Sequence, residues 1–128
     1  MGILKSLFDK KNNNIMEDWK HLTTEEQLEQ IKEDSINKPI VLFKHSTRCG
    51  ISLHAKDKLE TAWDFTSEAL DFYYLDLLKY RNISTEIASL FNVIHQSPQI
   101  IVLKNKEAID SFSHQAISVE RIKKSLLI

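Results

Sequence analysis

The sequence predicts an α/β fold, a central mixed sheet of about four strands covered by helices on both faces. Three observations predict it. Ile40-Val41-Leu42-Phe43 is apolar at every position, as expected of a strand buried on both sides. Strand-like and helix-like segments alternate, which implies parallel pairing in the first half of the chain. Two later strands flank Asn105-Lys106, a tight turn in which Asn tolerates positive φ, so they close as an antiparallel hairpin. The 128 residues, 42% apolar and 27% charged, suffice for one domain that buries its core without metal or disulfide staples.

Residues 1–16 read as a flexible N-terminal tail and 17–128 as the domain. Gly2 and Ser6 in the tail formally match a short acylation pattern that often occurs by chance. Trp19 to Leu22 is a candidate short edge strand beyond the count of four. Thr23 or Thr24 caps a first helix, with Glu26 three residues after Thr23 at capping-box spacing, and Lys38-Pro39 ends it. After the apolar strand, a helix spans about 49–65, with Ile51, Ala55, Leu59, Ala62 and Trp63 on one face. Leu70 to Leu77 is a second strand. Asn82 or Ser84 caps a helix to about Asn92, and Ile83, Ile87, Leu90 and Phe91 point inward. Gln99–Leu103 and Glu107–Phe112 form the hairpin. Ser118 caps a last helix with Val119, Ile122 and Leu126 toward the core.

Composition removes several function classes. A net charge of −1 gives no global basic field, so no nucleic-acid partner is expected. No apolar run approaches the roughly 20 residues of a membrane-crossing helix, so no membrane association is expected. Two glycines cannot make a glycine-rich phosphate loop. The five histidines lack metal-ligand spacing. The single cysteine rules out an internal disulfide and a Cys-pair zinc site in one chain, and it suits a reducing, cytoplasmic compartment. No metal and no tightly bound cofactor are expected, and the chain is read as a monomer.

One place remains for chemistry. Cys49 stands where a buried strand hands over to a helix. There, free backbone amides and the helix dipole favour a thiolate. Between Ser35 and Glu60, five cations (Lys38, Lys44, Arg48, Lys56, Lys58) outnumber two acids (Asp57, Glu60), a local excess of three. Lys44, His45 and Arg48 lie close enough in sequence to add positive field. Gly50 lets a ligand or another backbone approach. Ser52, three residues on, shares a face of the helix start with Cys49, where its hydroxyl can reach the sulfur or the free amides. Ser97-Pro98 precedes a buried strand, and a cis bond there would turn the Ser97 backbone toward an extended substrate. The bland alternatives are a cysteine buried for packing, a glycine that relaxes a turn and a trans proline at a strand start.

The run Lys44-His45-Ser46-Thr47-Arg48-Cys49-Gly50-Ile51-Ser52 resembles the signature of YtxJ-type monothiol bacilliredoxins, and Ser97-Pro98-Gln99 supports the likeness. That family has a thioredoxin-like fold. The resemblance implies removal of bacillithiol, a low-molecular-weight cysteine thiol and co-substrate, from mixed disulfides on client proteins. Cys49 would be the attacking thiolate, Ser52 would stand in the place of a resolving cysteine, and Pro98 would be the cis-proline beside the sulfur. Lys44, Thr47, Arg48, Gly50 and Ser97 would support thiol binding. The family's Cys-Pro-Ile-Ser reads Cys-Gly-Ile-Ser here. Cys49–Ser52 also resembles the Cys-Gly-Phe-Ser of monothiol glutaredoxins, some of which carry an iron–sulfur cluster with glutathione. The Gly-Gly-Asp stretch that holds glutathione there is replaced by Ser113-His114-Gln115-Ala116. A non-catalytic binding module on the same fold is the other alternative.

Overall fold

The computed structural model describes residues 16–128. The expected tail and its Gly2–Ser6 pattern lie outside these residues, apart from Met16, which packs against the core. The elements are β1 (Trp19–His21), α1 (Glu25–Asp34), β2 (Ile40–His45), α2 (Gly50–Ala62), β3 (Asp71–Asp76), α3 (Arg81–Leu90), β4 (Gln99–Lys104), β5 (Glu107–Ser113), a single 3₁₀ turn (His114–Ala116) and α4 (Val119–Leu126). The five-stranded sheet runs β1-β3-β2-β4-β5. β3 is parallel to both β1 and β2, whereas β4 is antiparallel to both β2 and β5.

β2 lies at the centre of the sheet, and all six of its side chains are buried. Strand periodicity sends Val41 and Phe43 to one face and Ile40 and Leu42 to the other. Val41 and Phe43 join Ala55 and Leu59 of α2 and Val119 and Ile122 of α4. Ile40 and Leu42 join Leu28 and Ile31 of α1 and Ile83 and Ile87 of α3. Each face is thus sealed by two helices. Fully burying one such aliphatic side chain is worth about 1.5–3 kcal/mol, so these two clusters hold the sheet rigid. No helix among the described residues is long and apolar enough to cross a membrane.

The α/β class and the two covered faces match the sequence reading, and several details correct it. The sheet has five strands because Trp19–His21 does pair with Phe72–Tyr74, with Trp19 stacked on Phe72 at a centroid distance of 4.4 Å. The first capping box uses Thr24 and Gln27 rather than Thr23 and Glu26: the Gln27 amide donates to Thr24 Oγ1 at 3.1 Å, and Gln27 Oε1 accepts from the Thr24 amide at 3.0 Å. α1 ends at Asp34 and α2 at Ala62, each three residues short of the expected end. The third helix is capped by Tyr80, without a side-chain bond, and starts at Arg81 rather than after Asn82 or Ser84.

α2 buries Ala55 and Leu59 as expected, with Trp63 packed against the same core, but the rest of its inward face differs. Its buried residues are Ser52, Ala55, Lys56 and Leu59, and Ile51 is 48% exposed. Apolar periodicity finds Ala55 and Leu59 and misses Ser52 and Lys56, because those two positions are polar. Both have partners: Lys56 Nζ reaches Glu60 Oε2 at 3.1 Å, and Ser52 bonds to the end of β2.

Candidate active site

The site forms where β2 runs out. The Cys49 amide donates to the Ser46 carbonyl at 3.2 Å and closes the turn Ser46–Cys49. Cys49 is the N-cap of α2, with extended backbone (φ −108°, ψ 122°), and its carbonyl accepts the Leu53 amide at 2.9 Å. Its side chain makes no capping bond, and the residue is half-buried. A half-buried cysteine here stands at the positive end of the helix dipole, and no thiol partner exists in the chain.

Thr47 and Arg48 are exposed on the turn. Gly50 is the first helical residue, and a Cβ built on it would meet nothing within 4 Å. Packing therefore does not demand glycine here. Proline is favoured at a first helical position, and the extended Cys49 suits a following proline. Gly50→Pro is expected to raise stability by about 0.4–1 kcal/mol through the unfolded chain, read as a higher urea midpoint.

Ser52 and Lys44 are not placed as the sequence suggested. The Ser52 hydroxyl, fully buried, lies 2.7 Å from His45 Nδ1 and accepts the Ser46 amide at 3.0 Å, so it is engaged with β2 and the turn rather than with the sulfur. Lys44 points to the opposite face of the sheet from α2. Its buried Nζ donates to the Ser84 carbonyl at 3.2 Å and lies 3.1 Å from His95 Nδ1. Burial pushes the Lys44 ammonium down to about 8. Burial, followed by the Lys56 charge, pulls His45 down to about 4, so the ring is neutral at physiological pH.

Ser97 and Pro98 stand at the same end of the sheet as Cys49. The last β2–β4 pair is Lys44 with Gln99, which sets Pro98 one step further toward the Ser46–Cys49 turn. The Ser97–Pro98 bond, whose isomer the sequence left open, is cis. The buried Gln99 side chain pins the preceding loop, donating to the Ile94 carbonyl at 2.9 Å and accepting the Gln96 amide at 3.2 Å. Beside Cys49, a cleft of about 240 Å³ is lined by Gly50, Ile51, His54, Lys58 and His114, with Ala55 at its base. The sequence reading set His45 near Cys49 as a source of positive field, and the structure instead buries it as a neutral ring. The signal was its period-two spacing from Val41 and Phe43, which buries it beneath α2.

The model of the monothiol bacilliredoxin family BrxC matches residues 20–122. A solved protein described as a candidate oxidoreductase with a thioredoxin fold is 31% identical, with a TM-score of 0.74 over 85% of this chain and 94% of that one. Thioredoxin from Malassezia sympodialis superposes with a TM-score of 0.68 at 17% identity, over 89% of this chain and 92% of its own. Thioredoxin from Fasciola hepatica gives 0.62 at 19% identity, over 84% and 96%. The last two likenesses concern the fold alone.

Proposed function

This chain belongs to the monothiol bacilliredoxin family, and from that premise we propose that it removes bacillithiol from mixed disulfides on client proteins. The observation that carries the reading is the position of Cys49, the lone thiol, half-buried at the head of α2 beside the Pro98 end of the sheet. Family membership supports thiol oxidoreductase chemistry, and this position gives that chemistry its nucleophile.

Cys49 attacks, as a thiolate, the bacillithiol sulfur of the mixed disulfide. The bond between bacillithiol and the client breaks, and the client leaves as a thiolate that takes up a proton. Cys49 now holds bacillithiol in a disulfide. A second bacillithiol thiolate attacks that adduct, releases Cys49 as a thiolate and leaves as bacillithiol disulfide. The chain has no second cysteine, so the resolving thiol comes from outside. The cleft of His54, Lys58 and His114 offers polar partners for the small thiol.

The test follows bacillithiol release from a bacillithiolated client by mass spectrometry, with free bacillithiol supplied. Release that needs this protein supports the reading. Client binding without release would leave the binding-module alternative, and a coloured protein with a visible absorption band would point to the cluster alternative. A matched glutathionylated client, released as fast, would make the small thiol's identity wrong while keeping the exchange.

A further inference from the structure

We propose that His45 is a positioning residue for Cys49 and acts through Ser52. Four links join them. His45 Nδ1 lies at hydrogen-bond distance, 2.7 Å, from Ser52 Oγ. Ser52 Oγ accepts the Ser46 amide at 3.0 Å. The Ser46 carbonyl accepts the Cys49 amide at 3.2 Å. Cys49 is itself the cap of the helix that carries Ser52. The chain of bonds closes on itself and ties three pieces together, the end of β2, the turn and the first turn of α2.

Burial gives this loop its stiffness. His45 is 1% exposed and Ser52 fully buried, so water cannot replace either bond. The groups that face the His45 ring are Lys56 from α2, Tyr74 and Asp76 from β3, and Phe43 on its own strand. Burial holds the ring neutral, with the opposed charges of Lys56 and Asp76 acting against each other, and its nitrogen stays available to Ser52. The serine in the resolving-cysteine place is then a strut between the end of β2 and the turn that carries Cys49. This inference rests on the thiol-exchange reading above only in taking Cys49 as the reactive group.

The test is the rate of Cys49 alkylation by iodoacetamide against pH, which needs neither client nor bacillithiol. Ser52→Ala and His45→Leu are each expected to slow alkylation at pH 7 about fivefold, the effect of one hydrogen bond, with equal rates at high pH where every thiol is ionised. His45→Asn keeps a polar atom near the place of Nδ1 and is expected to restore the rate. Unchanged profiles in folded Ser52→Ala would overturn the proposal. So would a slowed Ser52→Ala beside a folded, unchanged His45→Leu, since Ser52 would then act on the sulfur alone. Should His45→Leu not fold, His45→Phe is measured in its place, and an unchanged profile there overturns the proposal. Failure of bacillithiol release with these effects intact would sink the functional reading and leave the positioning pair standing.

Discussion

Cys49→Ser is expected to bring bacillithiol release down to the uncatalysed background and, in the same molecule, to make the fold more stable. The two effects have one cause. Position 49 is the N-cap of α2, where a hydroxyl side chain accepts a first-turn amide, and Cys49 makes no such bond. A serine cap is worth about 0.5–1 kcal/mol over a residue that does not cap. The nucleophile is lost because an alcohol does not exchange with disulfides. Urea unfolding beside the release assay checks both signs. A less stable Cys49→Ser would show that the sulfur is held by packing, and the cysteine would then read as structural. A gain in stability with loss of activity is the pattern expected where function occupies a site that stability would fill differently.

How far the sequence was legible follows from what hydrophobic patterning can and cannot see. β2 was legible because Ile40 to Phe43 carry their burial in their own side chains, and the start of α2 followed from where β2 ends. The inward face of α2 was legible only in half, at Ala55 and Leu59. Ile51 looks like a core residue and is half in solvent, while Ser52 and Lys56 look like surface residues and are buried. Patterning scores each residue alone, whereas burial of a polar group depends on a partner. Ser52's partner is seven residues away on another element, and Lys56's is Glu60, one turn on. β1 was legible as a candidate edge strand at Trp19 to Leu22, but its three residues with one buried position, Trp19, give too little period to have entered it in the count of strands. Tyr80 as a cap was illegible because it makes no side-chain bond.

Lys44→Met is expected to stabilise the protein by about 1–3 kcal/mol at pH 7. Lys44 is fully buried, and among the described residues its ammonium has no carboxylate partner, only the Ser84 carbonyl and His95. Burial lowers it from 10.5 to about 8. A lysine lowered on folding binds its proton less well in the native state, so between about pH 8 and 10.5 the unfolded chain holds more protons and stability rises with pH. Below about pH 8 both states are charged and the penalty is present in full. Methionine removes it, so the gain in urea midpoint at pH 7 should shrink at pH 10. His45 adds the acid counterpart. Lowered to about 4, it costs stability as pH falls from 6.5, and the cost is complete below about 4 in wild type and variant alike. Lys44 also does something methionine cannot. Its contact with His95 joins β2 to the loop that leads into Pro98. Lys44→Met is therefore expected to exchange amide hydrogens faster at residues 94–97 while the protein as a whole unfolds later. Global stability lowered by the variant at pH 7 would mean that the two hydrogen bonds outweigh the buried charge. Unchanged exchange in the loop would show that Gln99 alone holds it.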